Sequence, residues 1–185
     1  MSARSSDHVL VVAATRRELA PVAVAETLVC GIGPVEAAAA TARALVELRP
    51  AAVLHIGIAG ARGIAPLELV LGSEAVYCDA VGPLVPARAL PDEALLARLR
   101  AAFPDARVRP IGTSARVGGG SVDVEAMEGF AVLRAAELAG VPAVEARVVS
   151  NELGEPDRAL WRFDDAFVRL AELLPRLVAA AVSRR

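Results

Sequence analysis

The residues that could do chemistry in this chain stand at the joints between elements. Glu125 and Glu128 open a stretch in which Met127, Phe130, Ala131, Ala135 and Leu138 form one apolar helical stripe. Glu145 and Arg147 share one face of a following strand whose other face carries Val144, Ala146 and Val148. That strand is read as ending at Ser150-Asn151, and Asn151 is the only asparagine in the chain. Glu18 follows the first strand. Each residue has a plain structural reading. Glu18 and Glu128 suit helix starts, where the macrodipole favours a carboxylate. Glu145 and Arg147 could be an ion pair within one strand, Asn151 a turn former, and the lone Trp161 a packing anchor. Grouped in one place, they are the material of an active site. Two close carboxylates raise each other's pKa unless a cation stands by, and an amide offers one acceptor and two donors in fixed places.

Strands alternate with helical patterns, the signature of an α/β domain with a largely parallel sheet. Strands are expected at 8–14, 27–30, 51–59, 73–78 and 141–150, with an extended run over 107–117. Helices are expected at 34–48, with Pro34 suited to its first turn, at 91–103, and at 127–138 with Gly140 and Pro142 as stop signals. A short helical stretch opens at Thr15, and a last helix spans 158–182, where Pro175 is predicted to bend or interrupt it. Open α/β sheets bind ligands beyond the carboxyl ends of their strands. There the chain places Thr15 and Glu18, a turn at Gly57–Ala61, Ser114 to Val117, and Ser150-Asn151.

Composition narrows the function. The 185 residues suit one domain over 1–185, and the 55% hydrophobic content is swollen by Ala and Val. No apolar run reaches the ~18 residues of a membrane span. The first nine residues hold no signal-peptide core, so a cytoplasmic protein is expected. A net charge of −2 argues against a nucleic-acid surface. Cys30 and Cys78 suggest two reduced thiols, and neither His8 nor His55 has a partner at metal-ligand spacing, so no metal is expected. Gly31-Ile32-Gly33 precedes a helix, but Glu36 occupies the third small position of a dinucleotide fingerprint. The chain has no lysine and so no P-loop. No cofactor is expected.

Four stretches carry a resemblance: VVAATRRELAP (11–21), CGIGPVEAAAATARALVELRPAAVLHIGIAGA (30–61), SEAVYCD (73–79) and VEAMEGFAVLRAAELAGVPAVEARVVSN (124–151). Together they resemble the purine nucleoside phosphorylase and nucleosidase superfamily, in its hydrolase branch. Met127-Glu128 at a helix start and Arg147 through Asn151 at a strand end are the specific signals, and SNELGEPDRALW (150–161) is most similar to the futalosine hydrolases. The resemblance implies a three-layer phosphorylase/hydrolase-like α/β fold with a mixed, mostly parallel central sheet flanked by helices. It implies a small-molecule nucleoside substrate and a homodimer or higher homo-oligomer, with neither nucleic acid nor membrane as partner.

It also implies roles. Glu18 polarises the attacking water, Glu128 holds the ribose hydroxyls, Met127 lies against the sugar, and Arg147 orients the carboxylates. Asn151 meets the base, where adenine-specific relatives carry aspartate. An amide NH₂ suits the acceptors of a 6-oxopurine at C6 and N7, so hypoxanthine is the expected base and futalosine, of menaquinone biosynthesis, the expected substrate. The implied catalytic pair is Glu18 and Asn151, and the implied substrate-binding set is Ala59, Gly60, Val117, Met127, Glu128, Arg147 and Trp161. The chain departs from the family by a shortened segment between Asp79 and Pro91 and a compressed purine-stacking loop, which leaves Val117 as the base contact. A methylthioadenosine/S-adenosylhomocysteine-type nucleosidase, a phosphorylase, and a catalytically degraded binding relative are the alternatives.

Overall fold

A computed structural model describes residues 8–19 and 26–182. The leader reading at 1–7 and the end of the first matching stretch at 20–21 lie outside the described residues. In chain order the elements are β1 (Val9–Ala13), β2 (Glu26–Val29), α1 (Pro34–Leu48), β3 (Ala52–Ala61), β4 (Leu69–Tyr77), β5 (Arg88–Ala89), α2 (Glu93–Ala102), β6 (Arg107–Thr113), β7 (Val124–Ala126), α3 (Gly129–Leu138), β8 (Ala143–Glu152) and α4 (Phe163–Ala181).

The strands form one mixed sheet running β2-β1-β3-β7-β6-β4-β5, with β8 paired to both β3 and β4. Most pairings are parallel; β3 with β7, β4 with β5 and β4 with β8 are antiparallel. Because β8 bridges β3 to β4 while β7 bridges β3 to β6, the strands β3, β8, β4, β6 and β7 close into a ring. The β-branched, apolar runs of β1, β3 and β8 are buried on both faces, as strands covered by helices must be. On one face Leu54, Ile56, Ala146 and Val148 pack with Leu95 and Leu99 of α2 and Leu170 and Leu174 of α4. On the other, Leu10, Val12 and Val53 pack with α1 and with Phe130 to Leu133 of α3. The three-layer α/β architecture matches the expectation; the ring closure is added by the structure.

Several local expectations are corrected. Glu125 lies on β7, and Glu128 caps α3, so the apolar stripe begins later than the sequence pattern suggested. The residues after β1 form a turn, Glu18 donating its backbone N–H to the Thr15 carbonyl at 3.3 Å. Gly57–Ala61 is strand, because β8 pairs with it throughout. The run at 107–117 stops pairing at Thr113. The last helix splits: a 3-10 turn at Arg158–Leu160 precedes α4, which runs uninterrupted through Pro175. Asp92 caps α2 by accepting from the Leu95 N–H at 2.8 Å, which delays that helix past Pro91.

Candidate active site

The register between β3 and β8 sets His55 beside Glu145 and Gly57 beside Arg147. Paired residues point to the same side of a sheet, so these polar groups meet on the face covered by α1 and α3. Arg147 is 1% exposed, and every arm of its guanidinium is engaged. Nε donates to Glu145 Oε1 at 2.8 Å, Nη1 to the Ile56 carbonyl at 3.4 Å, and Nη2 to His55 Nε2. His55 Nδ1 lies 3.0 Å from the Val12 carbonyl. With Nε2 accepting, Nδ1 carries the proton. Burial, and then the Arg147 charge, hold this imidazole well below its ordinary pKa, so it is neutral.

Gly57 explains how an arginine fits inside a sheet. A Cβ at that position would stand 2.1 Å from Arg147 Nη1 and 2.6 Å from Glu18 Oε1. Arg147 and Glu18 therefore occupy the space a side chain would fill. The carboxylate of Glu18 accepts from the Thr15 N–H at 2.8 Å and hydroxyl at 2.9 Å, and from the Ile58 N–H at 3.3 Å. A carboxylate offers about four acceptor positions; three are taken here, and one remains for a water.

Glu128 is held from the opposite wall. Its Oε1 accepts from the Gly33 N–H at 3.0 Å, and its Oε2 lies 3.8 Å from Arg147 Nη2. Gly33 has φ 94°, a left-handed conformation natural to glycine, and this aims its N–H at Glu128 from the start of α1. The Gly31-Ile32-Gly33 turn thus serves a carboxylate of this chain. Burial raises the Glu128 pKa above its usual value; Arg147 and the Gly33 N–H oppose the rise, and Glu18 adds to it. Cys30 nearby is buried, and desolvation followed by the Glu128 charge pushes its thiol up to about 12. It stays neutral and serves as packing.

At the end of β8 the pairing slips. Ala59 pairs with Val149, but Gly60 pairs with Asn151, so Ser150 is the extra residue of a bulge. The Ser150 hydroxyl lies 2.7 Å from Asn151 Oδ1 and 3.2 Å from the Ala59 carbonyl, and Asn151 Nδ2 donates to the Glu152 carbonyl at 3.0 Å. One hydrogen of the amide NH₂ remains for a ligand. Asn151 lies within the strand and is 7% exposed, so the turn-former reading does not hold.

These groups converge on one cavity of about 300 Å³. Of the expected residues, Glu18, Glu128 and Met127 line it with Ala59, Gly60 and Asn151. Val117 and Trp161 lie at its rim, Val117 being 60% exposed. Arg147 does not line it. This corrects the expectation that Arg147 binds substrate: it is buried beneath the carboxylates and can act only through them. Ser114 is also outside, its hydroxyl donating to Asp79 Oδ1 at 2.9 Å. The sequence reading missed the aromatic wall of Phe163 and Phe167, which lie four apart in the first turns of α4. Trp161 meets Phe163 edge-on at 5.3 Å, Arg17 stacks on Phe167 at 4.5 Å, and Arg17 pairs with Asp164 at 2.6 Å. This strap draws the segment after β8 across the first turn of the chain. Among the described residues, no cluster of His, Cys, Asp and Glu could hold a metal, and no helix is long and apolar enough to cross a membrane.

Comparison with known proteins shows the family and the fold. The Phosphorylase superfamily profile matches residues 20–122. A futalosine hydrolase of Acidothermus cellulolyticus is 35% identical, over 85% of this chain and 77% of that protein. A futalosine hydrolase of Streptomyces coelicolor is 49% identical over 53 residues, a match that spans 29% of this chain and 23% of that relative's length. Among solved structures, the native futalosine hydrolase of Helicobacter pylori strain 26695 superposes with a TM-score of 0.81 at 16% identity, covering 94% of this chain and 98% of that one. A 5′-methylthioadenosine/S-adenosylhomocysteine nucleosidase of Colwellia psychrerythraea 34H, in complex with adenine, gives 0.84 at 18% identity over 98% of each chain. At such identities the structural likeness is one of fold.

Proposed function

This chain belongs to the phosphorylase superfamily, and from that premise we propose that it is a nucleosidase that hydrolyses the N-glycosidic bond of a 6-oxopurine riboside, with futalosine as substrate. The observation that carries this reading is the convergence of two buried carboxylates and one amide on a single cavity. Cleavage of an N-riboside puts positive charge on the sugar and negative charge on the departing base. Glu18, with one acceptor position left, polarises the water. Glu128, gripped from behind by Gly33 and Arg147, binds the ribose hydroxyls and offsets the sugar's developing charge. Asn151 donates its remaining N–H to the base, and hypoxanthine is the product. Dehypoxanthine futalosine is then the other product, and the reaction serves menaquinone biosynthesis.

Hydrolysis is favoured over phosphorolysis by what surrounds the reacting water. Glu18 occupies that place, and a carboxylate beside phosphate is repulsive. Arg17, next to Glu18 in the chain, is taken up by Asp164 and Phe167. The amide at 151 disfavours adenine, which presents a donor at C6. The test is base release from futalosine, inosine and methylthioadenosine, each with and without phosphate. Hypoxanthine from futalosine without phosphate is the expected result. Strict phosphate dependence, or adenine release from methylthioadenosine alone, overturns it, and binding of hypoxanthine without any cleavage favours a binding protein.

A further inference from the structure

Behind the carboxylates that face the cavity lies a second polar layer that a ligand in the cavity does not touch. Glu145 and His55 are both 0% exposed and neither lines the cavity, yet both hold Arg147. They are direct neighbours across the β3–β8 pairing and grip the guanidinium by two of its three nitrogens. The charge of Arg147 then faces Glu128 at 3.8 Å and Glu18 across Gly57. Resting on the nucleosidase reading, we propose that Glu145 and His55 are positioning residues for that reaction: they fix Arg147 and divide its charge between a buried anion and the two cavity carboxylates.

Packing alone does not call for this layer. Glu145 Oε2 is buried without a hydrogen-bond partner, which costs stability. The space it fills exists only because residue 129 is glycine, since a Cβ added there would stand 2.2 Å from that oxygen. An apolar residue such as its neighbour Val144 would fill the strand at less cost. The titratable groups around Arg147 and Glu128 come from five places: Glu18 after β1, Cys30 after β2, His55 on β3, Glu145 on β8, and Glu128 itself heading α3. His55 and the Cys30 thiol are neutral, which leaves three carboxyl groups sharing one guanidinium. Burial, opposed by Arg147, raises the pKa of both Glu128 and Glu145.

Glu145→Gln keeps the shape and the acceptor for Arg147 Nε while removing the charge. Glu128 should then face more of the Arg147 charge and titrate lower, by about half a pH unit or more. The direct readout is the carboxyl ¹³C resonance of Glu128, assigned by its loss in Glu128→Gln. The acid limb of kcat/KM for hypoxanthine release from futalosine should move with it. His55→Gln retains an acceptor for Arg147 and a donor for the Val12 carbonyl, and should keep kcat within about threefold. His55→Leu loses both and should lower kcat at least about tenfold. An unchanged Glu128 titration in folded Glu145→Gln overturns the proposal, as does a His55→Leu protein with wild-type kcat. A wild type that releases no base from any nucleoside overturns the nucleosidase reading instead, since the titration is read without turnover.

Discussion

At the scale of single residues, the proposed recognition of the base rests on Asn151. The bulge at Ser150 sets its amide against Gly60, where an added Cβ would lie 3.0 Å from Nδ2. Asn151→Asp exchanges an obligatory donor for a group that can carry a proton to the base. The ratio of kcat/KM for adenine nucleosides over 6-oxopurine nucleosides should rise on the order of 100-fold, read from parallel base-release assays. Glu18, Glu128 and Asn151 were picked out by the resemblance of the stretches around them, since taken alone a carboxylate suits a helix start and an asparagine a turn. His55 was not. A histidine inside an apolar run reads as a core residue, and only the register across to Glu145 and Arg147 gives it a partner. Arg147 was placed in the right cluster but one layer too near the substrate. Strand alternation tells which face a side chain takes and not how deep it lies.

At the scale of elements, the wall formed by Trp161, Phe163 and Phe167 shapes the far side of the cavity. The sequence pattern suggested one helix from Arg158 onward, and the structure breaks it. Asp157 accepts the Ala159 N–H at 2.9 Å and closes a short 3-10 turn, and the Arg162 N–H donates to the Ser150 carbonyl at 2.8 Å. That second bond ties the strap to the bulged residue, so the aromatic wall and the Asn151 amide are set by adjacent bonds. Helical periodicity could not reveal this, because the break depends on a carbonyl from another element. Trp161→Ala should raise KM about tenfold for a nucleoside with an aromatic 5′ substituent and leave inosine almost unchanged, as initial-rate measurements would read. An equal loss for both would mean the wall serves the nucleoside core instead.

At the scale of the whole molecule, the buried polar layer couples stability to pH. His55 has a folded pKa well below 6.5, so its contribution is present above that value and declines as pH falls through it. The decline is about 1.4 kcal/mol per pH unit until the folded value is reached. His55→Gln removes this dependence, and its Tm should fall less steeply than that of the wild type between pH 6.5 and 5 in a thermal-unfolding series. Glu128 and Glu145 act with the opposite sign. Their folded values lie above 4.5, so their contribution is full below that and is lost as pH rises through the folded values. The α/β class was legible because local periodicity decides it; the closed ring of strands was not, since ring closure depends on pairings remote in sequence. That remoteness governs how the protein comes into being. Arg147 reaches the Ile56 carbonyl 91 residues away, and β7 must return to β3 before the cavity has a rim. Contacts so distant form slowly, because loop closure precedes any gain from pairing. On dilution from urea, helical signal should return first, and the capacity to cleave substrate only with the slowest phase of folding.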